Sequence, residues 1–169
     1  VKKSQPAVVV NLARAGTLPS YVCYQNLNFV LNPSLVRQDH IMAARVTNAQ
    51  GAVTGTDFGA SKIGGSIDGS VVLFPDPMGA TGGTMVSALD YYKGKVGGQA
   101  AKFIALHLIV TPEYLARVQR AHPDLVVYAL RLDRGLSSPA VLETELGLRW
   151  SEERGLDDHH YIVPGGGGL

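Results

Sequence analysis

Apolar runs recur along the chain at intervals too wide for tight hairpins. They fall at residues 7–12, 40–46, 71–74, 103–110 and 124–132, each dominated by β-branched, aliphatic or aromatic side chains. Within a run apolar and polar positions hardly alternate, which predicts strands buried on both faces. Between the runs the apolar spacing becomes helical. Residues 17–31 predict a first helix, with Pro19 in the first turn, where a missing amide is tolerated. Met85, Ala88, Leu89 and Tyr92 predict a second helix, with Gly94 as its expected stop. Thr111-Pro112-Glu113 opens a third: a hydroxyl N-cap, proline at the first helical position, then an acid facing the positive helix end. Tyr114, Leu115, Val118 and Ala121 supply its apolar face.

Strands that alternate with helices define an α/β domain with a mainly parallel central sheet flanked by helices. Neither an internal repeat nor a second domain is evident, so residues 1–169 form one expected unit. Residues 47–69 hold six glycines, at 51, 55, 59, 64, 65 and 69. So long a glycine-rich stretch inside a compact domain is expected to be a flexible flap. Residues 137–155 form a charged insertion in which Val141, Leu142, Glu145 and Leu146 are expected to make a short helix.

Composition narrows the functional classes. The chain has 169 residues, 46% hydrophobic and 17% charged, which excludes a disordered segment. Lys and Arg number 15 against 14 Asp and Glu, a net charge of +1. No global field exists to gather nucleic acid or a membrane surface, so neither is an expected partner. One cysteine, Cys23, rules out an internal disulfide framework, and it is expected to be a small buried hydrophobe. There is no 18-residue apolar run, and the start lacks the apolar middle of a signal peptide, so a cytoplasmic setting is expected. The chain begins without Met and ends in Gly165-Gly166-Gly167-Gly168-Leu169, as expected of a domain lacking the N-terminal and C-terminal parts of a longer protein.

Chemistry concentrates in the strand–loop–helix from Val71 to Tyr92. Its loop reads Asp76-Pro77-Met78-Gly79-Ala80-Thr81-Gly82-Gly83-Thr84. Glycines let the backbone approach a ligand, and Thr81 and Thr84 add hydroxyls. The helix that follows aims unpaired amides and a positive dipole end at the loop, which makes an anion site suited to a phosphate monoester. Neither the lysine of a P-loop nor a GxGxxG fingerprint is present. Asp76 ends its strand where ligands of open α/β sheets bind, and a carboxylate there accepts hydrogen bonds from sugar hydroxyls. His122 is expected to organise a helix-to-strand turn. His159 and His160 are adjacent on an extended segment and point opposite ways, so no metal site of side chains is expected.

An apolar strand, an acid and then A-T-G-G-T resembles the phosphoribosyl pyrophosphate (PRPP) motif of type I phosphoribosyltransferases. The variant D-P-M-x-A-T-G-G-[ST], here 76–84, resembles the uracil phosphoribosyltransferase branch. Leu12-Ala13-Arg14-Ala15-Gly16 is similar to that branch's L-R-A-G pyrophosphate loop, with Ala13 before the arginine. Thr111-Pro112-Glu113 and then Ala121-His122-Pro123-Asp124 resemble its A-P-E-G … K-A-H-P-D signature, and Tyr161-Ile162-Val163-Pro164-Gly165 resembles its Y-I-[IV]-P-G base-binding segment. The motifs occur in order from Val8 to the C-terminus.

The resemblance implies a type I phosphoribosyltransferase-like fold with the glycine-rich flap and a C-terminal hood loop. It implies an enzyme that joins uracil and PRPP to give UMP and pyrophosphate in pyrimidine salvage, with Mg²⁺ bound mainly through PRPP. Asp76 would hold the ribose hydroxyls, and residues 80–84 the 5′-phosphate. Arg14 and Arg45 would hold the pyrophosphate, and Asp76 and Arg14 would carry catalysis. Ile162 would offer main-chain groups to uracil, with Gly167, Gly168 and Leu169 completing the pocket. A homodimer or higher homo-oligomer is implied as well. Gly168 stands where the family places an aspartate. The alternative is therefore a non-catalytic domain that senses PRPP or a nucleotide. Arg14, Asp76 and the intact A-T-G-G-T loop favour the enzyme, whereas Gly168 favours the sensor.

Overall fold

The structure is a computed structural model and describes residues 2–42, 44–47 and 53–166. Strand β1 (Ala7–Ala13) leads through helix α1 (Thr17–Val30) to β2 (Val36–Met42). A two-stranded hairpin, β3 (Ala44–Thr47) and β4 (Val53–Asp57), precedes β5 (Val71–Pro75). After β5 come the two-residue strand β6 (Met78–Gly79), α2 (Gly83–Lys95), β7 (Lys102–Val110), α3 (Pro112–Ala121) and β8 (Leu125–Leu132). A short helix, α4 (Pro139–Leu142), lies beyond.

The main sheet runs β2-β1-β5-β7, with β8 and the short β6 both pairing to β7, and every pairing in it is parallel. From β1 the chain steps one way to β2; from β5 it steps the other way to β7 and β8. Right-handed crossovers then place α1 on one face and α2 and α3 on the other. Side-chain alternation agrees. Val8, Val10, Leu12, Val72, Phe74 and Phe103 pack with Met85, Leu89 and Tyr92 of α2 and Val118 of α3. Ala7 and Leu73 pack with Tyr24 and Leu27 of α1 on the opposite face.

Several sequence expectations change. The second strand begins at Val36 rather than His40, because its pairing with β1 starts at Ala7↔Val36. Gly94 does not end α2, which runs on to Lys95; with nothing near the position a Cβ would occupy, the helix passes through it. Glu145 and Leu146 fall outside α4. Cys23 is half-buried, and burial pushes its thiol pKa up. The second sheet face is covered only in part: α1 lies over β2, β1 and β5, while Leu108, Tyr128 and Leu130 of β7 and β8 remain exposed.

The glycine-rich stretch divides in two. Its first part is the β3–β4 hairpin. Its second is tied down by β2: the buried Asp39 carboxylate accepts from Gly64 N–H at 2.9 Å, and Arg37 donates to the carbonyls of Gly65 and Ser66. Lys62 is held as well, exchanging backbone hydrogen bonds with His40 at 2.7 and 2.9 Å. The Tyr92 hydroxyl of α2 donates to Asp39 at 2.8 Å, so one carboxylate joins strand, loop and helix. Burial and the Asp39 charge raise the Tyr92 pKa far above the ordinary phenol value.

Candidate functional site

The direction of winding reverses between β1 and β5, and ligands of open α/β sheets bind beyond the carboxyl ends of the strands at such a point. Two of the sequence motifs meet there. The Arg14 turn follows β1 and the Asp76 loop follows β5. The two are in contact, since a Cβ on Gly16 would come within 3.0 Å of the Pro75 carbonyl. Gly16 N–H donates to Leu12 and Thr17 N–H to Arg14, which closes the turn. The Ala13–Arg14 peptide is cis. Arg14 is exposed, and its guanidinium has no partner among the described residues.

Asp76 is held on three sides. Its amide donates to the Leu106 carbonyl at 3.0 Å, its carbonyl accepts from the His107 ring, and its Oδ1 accepts from Met78 N–H at 3.3 Å. Among the described residues Oδ2 has no partner. Burial pushes the carboxyl pKa up, and the Met78 amide opposes that in part. The sheet environment therefore penalises the ionised carboxylate, a condition that a hydroxyl-bearing or cationic ligand would relieve.

Beyond Asp76 the loop follows β7 for two residues, Met78 beside Ile109 and Gly79 beside Val110. Gly82 then takes the left-handed conformation, φ +75°, that caps α2 and favours glycine. Thr81 Oγ1 accepts weakly from Gly83 N–H at 3.5 Å. The first helical bond runs from Val86 N–H to the Gly82 carbonyl. Among the described residues none accepts from the amides of Thr81, Gly82, Thr84 and Met85. Four free amides at a helix start, with no acid in the first turn, form an anion cradle. The Arg117 guanidinium of α3 lies against Gly83, a contact that no motif indicated.

The hood (residues 155–166) closes the other side. It hangs from the ends of β8 and α3. Glu113 receives the amides of Gly155 and Leu156, and Asp133 receives that of Gly165 at 2.8 Å. Arg131 pairs with Asp133 and donates to the Gly165 carbonyl. Residues Leu156 and Ile162 face each other in an antiparallel bridge whose hydrogen bonds are made by their neighbours, Val163 to Gly155 and Asp157 to Tyr161. Both main-chain groups of Ile162 are thus without a partner among the described residues. Gly166 lies beside Met78 and Ile109, so the hood meets the Asp76 loop. His159 stays on the hood's outer, exposed turn. Gly167, Gly168 and Leu169 lie outside the described residues. Arg45 is placed in β3, opposite Thr56 of β4, and its side chain is not among those described.

The insertion has its own anchor. Arg134 donates to Glu153 at 2.9 Å and to the carbonyls of Val141, Leu142 and Thr144, and Glu153 also receives Gly147 N–H at 2.8 Å. This buried pair ties residues 134–153 into one folded segment. His122 caps α3 and turns the chain into β8, accepting Leu125 N–H on its carbonyl and contacting Lys93 at 3.2 Å. Neither Glu113, Asp133 nor His107 belonged to the expected site. Glu113 was readable as a helix-start acid and as part of the A-P-E-G-like stretch, but not as the hood's anchor, because its partners lie 42 and 43 residues away.

A parallel sheet with its switch point between an arginine turn and an acid–glycine loop, under a C-terminal hood, is the type I phosphoribosyltransferase fold. Several solved structures share the fold. A protein from Aquifex aeolicus is 24% identical with a TM-score of 0.63, over 94% of this chain and 60% of that one. The APRTase of Giardia lamblia, solved with 9-deazaadenine, is 14% identical with a TM-score of 0.53, over 75% of this chain and 70% of that one. The adenine phosphoribosyltransferase of Trypanosoma brucei, solved with AMP, pyrophosphate and ribose-5-phosphate, is 17% identical with a TM-score of 0.53, over 86% and 64%. The chain spans about three fifths of the Aquifex protein's length. The family model for uracil phosphoribosyltransferase matches residues 2–147. This chain belongs to the uracil phosphoribosyltransferase family.

Proposed function

We propose that the chain binds PRPP and uracil and transfers the phosphoribosyl group, releasing pyrophosphate and forming UMP. One observation carries the reading: four amides at the start of α2, unpartnered among the described residues, follow the half-buried acid Asp76 in the loop at the sheet's switch point. In this reading the amides of Thr81, Gly82, Thr84 and Met85 take the 5′-phosphate, with Arg117 adding charge at the rim. Asp76 takes the ribose hydroxyls through its unpartnered oxygen. Arg14 takes the diphosphate, for which a forked donor supplies geometry as well as charge. Arg45 approaches it from the β3–β4 hairpin, which acts as a lid that keeps water from C1′. Ile162 offers its N–H and C=O to the base, and Gly167, Gly168 and Leu169 are assigned to the same pocket.

As the C1′–O bond to the diphosphate breaks, positive charge develops on the sugar and negative charge on the leaving group. A ring nitrogen of uracil bonds to C1′, and its proton passes to the departing diphosphate or to solvent. The residues supply positioning and electrostatic stabilisation, with Asp76 and Arg14 nearest the reacting atoms. Among the described residues no three metal-ligating side chains converge. Mg²⁺ would come bound mainly through the phosphate oxygens of PRPP and would supply positive charge to the diphosphate. Uracil, rather than another base, rests on family membership and on the hood segment.

The same reading includes a homodimer or higher homo-oligomer in the cytoplasm. Parallel sheets are normally covered on both faces. Here Leu130 is 83% exposed and Tyr128 60%, and Phe29 of α1, the helix over the β2–β1–β5 side of the sheet, is 94% exposed. A second copy of the chain is the partner proposed for this surface, and light scattering during gel filtration tests it; a monomer at micromolar concentration rejects it. Among the described residues no helix is long and apolar enough to cross a membrane.

The deciding assay follows UMP and pyrophosphate from uracil, PRPP and Mg²⁺, with the native chain and with Gly168→Asp. Product from the native chain supports the enzyme. PRPP binding without product, restored by Gly168→Asp, supports the alternative of a PRPP-sensing domain, which Gly168 favours. Absence of PRPP binding rejects both.

A further inference from the structure

His107 and Tyr114 lie outside every loop assigned to a substrate, yet they grip the Asp76 loop from below. His107 is 6% exposed, near the carboxyl end of β7. Its Nδ1 lies 2.6 Å from the Asp76 carbonyl oxygen and its Nε2 lies 2.6 Å from the Tyr114 hydroxyl. A carbonyl can only accept, so Nδ1 carries the hydrogen and donates. Nε2 then accepts, and Tyr114 is the donor. Burial holds the imidazole neutral, with its pKa lowered to about 4. The Tyr114 pKa is pushed above the phenol range by burial and by the Asp76 charge, so the hydroxyl keeps its proton.

Tyr114 has a second task. Its ring fills the space above Gly79, where a Cβ would come within 2.9 Å of it, and it also borders Gly82. The rings of His107 and Tyr114 meet edge to face, 4.8 Å apart. In the A-P-E-G signature that the sequence resembles, the residue after the glutamate is glycine; this chain has Tyr114 there. An aromatic ring in α3 thus lies against a glycine in the ligand loop, and its hydroxyl reaches a histidine that fixes the acid's own peptide group. Thr111 completes the support by donating to the Ala80 carbonyl at 2.7 Å.

We propose that Tyr114 and His107 are positioning residues for PRPP: their hydrogen-bonded chain fixes the Asp76 peptide and so aims the Asp76 carboxylate at the ribose. The inference rests on the PRPP reading of this site. The Tyr114 hydroxyl selects the histidine tautomer. Without it the ring can move its hydrogen to Nε2, and Nδ1 then faces the Asp76 carbonyl with a lone pair.

Calorimetric titration with Mg²⁺–PRPP tests this on the whole chain, with inorganic pyrophosphate as the control ligand because it needs Arg14 and not Asp76. The variants are Tyr114→Phe, which keeps the ring over Gly79, His107→Asn, whose amide nitrogen can replace Nδ1, and His107→Leu, which has no donor. PRPP affinity is expected to fall about ten-fold in His107→Leu and several-fold in Tyr114→Phe. His107→Asn should recover most of the loss seen with leucine, and pyrophosphate affinity should stay within two-fold throughout. Unchanged PRPP affinity in both Tyr114→Phe and His107→Leu overturns the proposal. So does an equal loss for PRPP and pyrophosphate, which would mark a merely structural role. Should His107→Leu not fold, Tyr114→Phe alone decides. A wild-type chain that ignores PRPP while binding pyrophosphate would overturn the reading of the Asp76 loop itself.

Discussion

Glu113, in the first turn of α3, receives the amide of Gly155 on both carboxylate oxygens, at 3.0 and 3.2 Å. The contact fastens the hood to the helix that also supports the Asp76 loop. Gly155 permits it: a Cβ there would run into the Asp133 carbonyl. A charged acceptor serving two backbone amides is among the stronger hydrogen bonds a protein makes.

Removing that acceptor should free the hood. Glu113→Ala is expected to raise the KM for uracil by about ten-fold, with a smaller change for PRPP. Glu113→Gln keeps an acceptor and should lie between. Steady-state kinetics with each substrate varied in turn checks this, and equal changes in the two constants would count against a hood-specific role.

Asp76→Asn separates stability from binding. An acid whose pKa is raised by burial favours its protonated form in the folded chain. Its contribution to stability is present at low pH and is lost as pH rises from the unfolded pKa toward the folded one. At pH 7 the ionised carboxylate is therefore a cost to the folded state. The amide isostere keeps an oxygen for Met78 N–H and removes the charge. The ligand-free variant should melt at the same temperature or higher, and PRPP should protect it less against thermal unfolding. A lower melting temperature in the absence of ligand would refute this account.

Acid should unfold the protein partly through His107. Its folded pKa of about 4 lies below the ordinary value of 6.5. Such a group contributes stability that is fully present above pH 6.5 and is lost as pH falls toward 4, because only the unfolded chain takes up the proton. The full loss is on the order of 3 kcal/mol. Denaturant unfolding between pH 4 and 7 should show a shallower pH dependence in His107→Asn than in wild type, and parallel curves would disprove the assignment.

Arg134 and Glu153 form the pair on which the insertion is built. Removing one partner leaves the other charge buried without compensation, which typically costs about 3–5 kcal/mol. Arg134→Ala should destabilise by about that amount, whereas surface changes such as Glu145→Ala should fall within about 0.5 kcal/mol. Urea unfolding gives both numbers. A small effect of Arg134→Ala would mean that the insertion is held by its apolar contacts instead.

Reading the chain residue by residue recovered the local features. Buried strands announce themselves by apolar runs, α3 by its Thr111 cap, and the anion cradle by glycines next to a helix start, since amide availability and backbone freedom belong to a few adjacent residues. The order of the strands was not legible. The reversal between β1 and β5 that brings Arg14 to Asp76 depends on crossovers, and the open face of β7 and β8 follows from α2 and α3 lying on one side. Part of the glycine-rich stretch looked free but is held by Asp39, whose partners Gly64 and Tyr92 are 25 and 53 residues distant. His107 reads as an unremarkable strand residue until Tyr114 stands beside it. Local backbone preference is encoded by neighbours in the chain, whereas a buried carboxylate or imidazole acquires its role from whatever the fold packs against it.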